Sequence, residues 1–212
     1  MEGNKSFQTA NQPATPANQP SSTGGKEGSN IIAVIVVAIA VVAVAAFVLS
    51  QRQQFEPVLP GAKAVDFTLP DLSGKERSLK DFKGKVVFLN FWATWCKPCG
   101  EEMPSMQALY DSMRGRPFEI VAVSVDTEGS EVVADFVKKN NLTFSVLHDR
   151  KGRTKETYKT TGVPETFIID QNGVIAEKVW GPRDWRREEN LTMISELLQN
   201  GPRPPESYRT GK

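Results

Sequence analysis

Cys96 and Cys99 are the only thiols in the 212-residue chain, and they stand three positions apart in Trp95-Cys96-Lys97-Pro98-Cys99. A disulfide framework for a small secreted fold uses more cysteines, spread along the chain. Two thiols at this spacing close a tight ring with each other, which makes a redox element and a poor staple. The other chemistry open to them is metal binding. A zinc site needs a full tetrahedral ligand set, but no second Cys/His pair exists and His148 is the only histidine. Dithiol–disulfide exchange is the reading that uses both sulfurs.

The flanking elements suit that chemistry. Val86-Val87-Phe88-Leu89-Asn90-Phe91 is a nearly continuous apolar run, the mark of a central strand covered on both faces. It leads through Trp92 to Trp95 into the dithiol, and Glu101 to Met113 carries a helical stripe of Met103, Met106, Leu109, Tyr110 and Met113. The first sulfur then lies at a helix N-terminus, where unpaired N–H groups and the helix dipole stabilise a thiolate. Cys96 is expected to be the exposed nucleophile. Cys99, one turn on, is expected to resolve the mixed disulfide.

The remaining elements give an α/β three-layer domain over residues 63–200, in the order β-β-α-β-α-β-α-β-β-α. Its strands are expected at Val65 to Leu69, Val86 to Phe91, Phe118 to Val125, Phe144 to Leu147, Thr166 to Ile169 and Val174 to Val179. The last two form a hairpin around Asn172-Gly173, a strong turn signal. Helices are expected at Glu131 to Asn140, Thr154 to Tyr158 and Trp185 to Leu198. His148 falls in a turn and reads as a surface residue.

Outside that domain the composition changes sharply. Residues 1–30 are polar with few large apolar side chains, which reads as a disordered tail. The nineteen residues Ile31 to Leu49 are all Ile, Val, Ala, Phe or Leu. At about 1.5 Å per residue such a helix nearly matches a bilayer core, so residues 31–50 are read as one transmembrane anchor in the lipid bilayer. Ala43-Val44-Ala45 has the small-x-small form of a signal cleavage site, but the long, barely charged segment ahead of it is unlike a signal n-region. Residues 51–62 read as a linker and 201–212 as a flexible, Pro-containing tail. Lys26 precedes the apolar run and Arg52 and Lys63 follow it, so charge does not orient the anchor. A formal net charge of +1, from 26 basic and 25 acidic residues, gives no argument for a nucleic-acid partner.

Val86 to Pro104, with Phe91-Trp92-Ala93-Thr94-Trp95-Cys96-Lys97-Pro98-Cys99 at its centre, resembles the membrane-anchored, thioredoxin-like reductases of the TlpA/ResA type. Gly162-Val163-Pro164-Glu165-Thr166-Phe167-Ile168-Ile169-Asp170 is similar to the cis-proline segment of that family, including its cytochrome c maturation members. The resemblance covers residues 63 to 199, including the leading hairpin at Leu69 to Lys75 and the inserted helix near residue 135.

That resemblance implies a thioredoxin-like fold with an N-terminal β-hairpin extension, an inserted central helix and a preceding transmembrane helix. It implies a catalytic domain on the extracytoplasmic, periplasmic side of the cell membrane. The expected activity is reduction of disulfides in exported proteins, apocytochrome c among them, with electrons from a membrane donor. No cofactor is expected beyond the redox-active Cys96–Cys99 pair.

It also implies that Pro164 is cis and faces the dithiol, so that the Val163 backbone can pair with a substrate strand. Trp95 would add to the substrate surface. Glu102 matches the acidic residue that the family places under its dithiol, where a carboxylate relays protons to Cys99; the plain alternative is an exposed first-turn glutamate. Glu165 either lends the pocket negative charge or is an exposed strand end. Asn90 departs from ordinary thioredoxin, which has a buried aspartate there, and leaves the proton work to Glu102.

Two other functions use the same sulfurs. A thiol peroxidase needs Pro and Thr/Ser ahead of its cysteine, where Leu89 and Ala93 stand here. A Cu(I)-binding or chaperone module would hold the metal on two thiolates.

Overall fold

A computed structural model describes residues 27–53 and 58–210. It divides into two units, Met1–Phe55 and Glu56–Lys212. The first contains helix α1 (Glu27–Gln53), whose described side chains, residues 31–47, are exposed. Among the described residues no helix is long and apolar enough to cross a membrane. The expected anchor lies partly outside the described side chains, and the expected disordered tail lies almost wholly outside the described residues.

In the second unit a five-stranded sheet has the order β5-β4-β3-β6-β7. Its strands are β3 (Val86–Trp92), β4 (Phe118–Ser124), β5 (Ser145–His148), β6 (Glu165–Ile169) and β7 (Ile175–Trp180). β3 runs parallel to β4 and antiparallel to β6. Every residue of β3 is buried, which explains its apolar run, interrupted only by Asn90: a central strand has no solvent face. The apolar residues of β3, β4 and β6 form one core with Met103, Met106, Leu109, Trp185 and Ile194.

The pleat sorts β3 into two faces. Phe88 meets Trp185 edge-on at 4.4 Å between ring centroids, and Trp92 meets Phe136 at 4.9 Å. On the other face Phe91 packs against Tyr158 and Phe167, and Tyr158 continues to Phe67. Phe67 precedes a separate hairpin of β1 (Thr68–Pro70) and β2 (Glu76–Ser78). Asp71 fastens its turn by accepting from the Ser73 and Lys75 N–H groups. The helices are α2 (Lys97–Ser112), α3 (Ser130–Lys139), α4 (Arg153–Thr157) and α5 (Glu188–Asn200).

Two terminal segments differ from expectation. Residues 58–62, read as linker, are docked on the domain. Val58 and Ala62 are buried, and the Gly61 N–H donates to the Ile175 carbonyl at 2.7 Å. Residues 205–210, read as part of a polar tail, form helix α6 (Pro205–Thr210). The Tyr208 hydroxyl donates to Asp170 Oδ2 at 3.0 Å, an attachment that composition does not reveal. Gly61 (φ 85) faces the start of α6, and a Cβ there would run into the Pro205 carbonyl.

Candidate active site

β3 ends at Trp92, and the chain turns through Ala93 to Trp95 before α2 begins. A buried carboxylate shapes this turn. Asp126 accepts from the Thr94 N–H at 3.0 Å and from the Thr94 and Ser124 hydroxyls at 2.6 and 2.7 Å. His148 Nε2 lies 2.8 Å from the Asp126 carbonyl. His148 is thus a buried brace of the loop, which corrects the surface reading. It is the last residue of β5, paired with Ser124, and so points into the domain instead of lying in the turn.

Cys96 is the N-cap of α2, and a disulfide joins it to Cys99. Its Sγ accepts from the Cys99 N–H at 3.2 Å, the bond a capping oxygen would make. Pro98 occupies the first turn, where a missing N–H costs nothing. The helix start therefore presents donors and its positive dipole end to Cys96, which favours the thiolate once the disulfide opens. In this oxidised state Cys96 is only 6% exposed and Cys99 is fully buried. The open exposure expected of Cys96 is therefore not found. Trp95 beside it is 67% exposed.

The Val163–Pro164 bond is cis, and the Val163 carbonyl oxygen lies 3.5 Å from Cys96 Sγ. The segment read from the sequence as the wall opposite the dithiol does face it. The Gly181 N–H donates to the Pro164 carbonyl at 3.0 Å and ties the end of β7 to this wall.

Glu102 lies one turn after Cys99, on the same side of α2. It is buried, not an exposed first-turn glutamate. Asn90 Nδ2 donates to its Oε1 at 3.0 Å, and the Arg183 N–H and Trp185 Nε1 donate to its Oε2 at 3.2 and 3.4 Å. Burial pushes its pKa up to about 7, against the opposing pull of those three hydrogen bonds. Among the described residues it has no salt-bridge partner. The Asn90 amide can serve both protonation states of Glu102. Its Nδ2 donates to the carboxylate, and turned over, its Oδ1 would accept from the acid. Thr166 Oγ1, 3.0 Å from Asn90 Nδ2, can accept or donate as required.

Glu165 is also buried, so the exposed strand-end alternative fails. Its Oε1 lies 2.7 Å from Lys178 Nζ, and its Oε2 accepts from the Thr161 N–H at 3.1 Å. The negative charge proposed for the pocket is therefore matched by a buried cation. Glu101 and Lys97 form a loose exposed pair at 3.8 Å. The sequence reading missed Lys178, Asp126 and Trp185. The pattern that could have found Lys178 is its alternation with Val179 and Trp180 in β7, read with the right register to β6.

Residues 60–178 match the model of the AhpC/TSA family. The chain is 40% identical over 173 residues to a thiol-disulfide oxidoreductase ResA of Bacillus cereus, spanning 80% of this chain and 99% of that one. Among solved structures, StoA of Bacillus subtilis is 32% identical, with a TM-score of 0.53 over 63% of this chain and 99% of that one. A Chlorobium tepidum structure assigned as a thiol:disulfide interchange protein DsbE is 34% identical, with a TM-score of 0.61 over 66% and 97%. With a Cys-x-x-Cys disulfide at a helix start, a cis-proline opposite it and these likenesses, the chain belongs to the AhpC/TSA family as a ResA-like thiol-disulfide oxidoreductase of thioredoxin-like fold.

Proposed function

We propose that this oxidoreductase is a membrane-tethered reductase of disulfides in exported proteins, apocytochrome c among them, acting on the extracytoplasmic side. The observation that carries the direction is Glu102, a buried carboxylate one turn after the dithiol with no salt-bridge partner among the described residues. As an anion it disfavours a thiolate on its neighbours, which opposes the stabilised thiolate of a strong oxidant.

The steps follow from the geometry. The Cys96 thiolate attacks one sulfur of a client disulfide, forming a mixed disulfide and releasing the other client sulfur as a thiolate. Cys99 gives its proton to the Glu102 carboxylate and attacks Cys96 Sγ. That closes the Cys96–Cys99 disulfide and releases the second client thiolate, which the proton on Glu102 can neutralise. Two electrons have passed to the client, and a membrane dithiol donor must return two to this protein. The Val163 backbone beside the cis bond offers hydrogen bonds to an extended client segment, with Trp95 as a flanking apolar surface.

The tether is supported by the apolar run in α1. The 173-residue match to the Bacillus cereus protein is also longer than the unit Glu56–Lys212, so the likeness continues into the preceding unit. The peroxidase alternative gains from the AhpC/TSA match, but Leu89 and Ala93 are buried apolar residues and the nearby Thr94 hydroxyl is committed to Asp126. For Cu(I), no group of three or more His, Cys, Asp or Glu side chains forms among the described residues, so the metal would rest on the two sulfurs without further support from those residue types.

The reduction potential of the full-length protein tests the reading. A value near about −270 mV is expected, and one near about −120 mV would make it an oxidase instead. Labelling Cys96 in intact cells with a membrane-impermeant maleimide tests the side: protection of the reduced thiol until lysis would overturn the extracytoplasmic placement.

A further inference from the structure

Glu165 and Lys178 lie on the sheet face opposite Glu102. β6 and β7 pair Glu165 with Trp180 and Phe167 with Lys178, so these four side chains make a square on one face. Asn90 and Thr166, which serve Glu102, point to the other face. The Lys178 side chain is 6% exposed, an uncommon state for lysine without a partner. It crosses the square diagonally to Glu165 at 2.7 Å, with its ammonium 4.8 Å from the Phe167 ring centroid and 5.1 Å from that of Trp180. Trp180 is 60% exposed, and the next residue is bonded to the Pro164 carbonyl. Through Thr161, Glu165 fastens the loop that leads into the cis bond.

We propose that Lys178 is a positioning residue for the client groove. It ties Glu165, and with it the Thr161–Pro164 loop, to β7 and braces the inner side of Trp180, whose exposed surface extends the client contact beyond the cis-proline. Glu165 is then a structural ion-pair partner and takes no part in moving protons at the dithiol. The client feature that fits is an apolar or aromatic side chain beside the client cysteine, resting on Trp180. This inference rests on the client-reductase reading and adds a second aromatic wall to it.

The test compares the full-length protein with Lys178→Met, Lys178→Arg, Glu165→Gln, Trp180→Ala and the double variant Glu165→Gln/Lys178→Met. Two disulfides are used: a synthetic peptide with one intramolecular disulfide flanked by phenylalanine, and cystamine. Misplacing the groove should lower the peptide-to-cystamine ratio of kcat/KM by on the order of tenfold in Lys178→Met, mainly through peptide KM. Lys178→Arg should recover part of that loss, and the double variant should recover more than either neutralisation alone. Trp180→Ala should lower the ratio without changing the secondary structure seen by circular dichroism. The pH midpoint for alkylation of the dithiol by iodoacetamide should be the same in Glu165→Gln as in the unmodified protein. An unchanged ratio in Lys178→Met and Trp180→Ala, or a moved midpoint in Glu165→Gln, would overturn the proposal. If Lys178→Met fails to fold, the Glu165→Gln midpoint and the Trp180→Ala ratio decide it. The wild-type potential, not these ratios, decides whether the protein is a reductase.

Discussion

Glu102 and Glu165 are both buried carboxylates, one following the dithiol and one following the cis-proline, and the central sheet separates them. Glu102 has three neutral donors and, among the described residues, no salt-bridge partner. Glu165 has a lysine at 2.7 Å inside an aromatic enclosure. On the proposed reading, this difference divides their work. A carboxylate held only by neutral donors stays close to balance between its two protonation states and can exchange a proton with a neighbouring thiol. A carboxylate matched to a buried ammonium is fixed in place and is suited to holding a loop. Residue type and burial alone would have made the two equivalent.

Removing one partner of the buried pair should have the largest effect. Lys178→Met is expected to destabilise the oxidised protein by about 3–5 kcal/mol, because it leaves an uncompensated carboxylate in the core. Glu165→Gln/Lys178→Met should recover much of this loss in urea unfolding followed by tryptophan fluorescence. If the double variant is no more stable than Lys178→Met, the two side chains are not coupled and the contrast with Glu102 collapses.

Next is Glu102→Gln, where the sign of the pH dependence is diagnostic. The folded-state pKa of about 7 lies above the ordinary value of 4.5, so the folded protein binds the proton more tightly than the unfolded chain. The resulting stability is fully present below pH 4.5 and is lost as pH rises through about 7, amounting to about 3 kcal/mol across that window. Glu102→Gln should remove this slope from the stability profile and shift the pH profile of thiol alkylation. Profiles parallel to those of the unmodified protein would mean that Glu102 does not titrate in this range.

The two halves of this comparison were not equally legible in the sequence. The apolar run of β3, the Cys-x-x-Cys spacing and the helix after it place Glu102 one turn beyond Cys99 by local geometry alone. The sequence leaves its burial open against an exposed first-turn alternative, and the structure shows it buried, with Asn90 donating to it from the central strand. The Glu165–Lys178 pair depends on strand register. The Asn172-Gly173 turn carries Ile169 opposite Ile175, and continued without interruption it would set Phe167 opposite Glu177. An irregularity between Ile168 and Ile169 shifts the pairing by one residue, so Lys178 comes to Phe167 instead. A one-residue slip moves every side chain to the other face, and no composition signal marks where it occurs. His148 was misjudged in the same way, by one residue at the end of a strand.

The smallest effect is expected at Glu101, and it sharpens the contrast because this residue is the immediate neighbour of Glu102. Its side chain is 63% exposed and reaches Lys97 only at 3.8 Å. An exposed pair of this kind contributes little, because water screens the charges and ordering two long side chains costs entropy. Glu101→Gln should change stability by less than about 0.5 kcal/mol and leave the pH midpoint of dithiol alkylation where it was. It removes a negative charge just as Glu102→Gln does, at a position one residue away in sequence. If both variants moved the midpoint equally, the shift would report the summed field at the start of α2 and not a proton held by one buried group. A shift confined to Glu102→Gln, with Glu165→Gln and Glu101→Gln both silent, would leave burial without a cation as the property that separates the proton carrier from its neighbours.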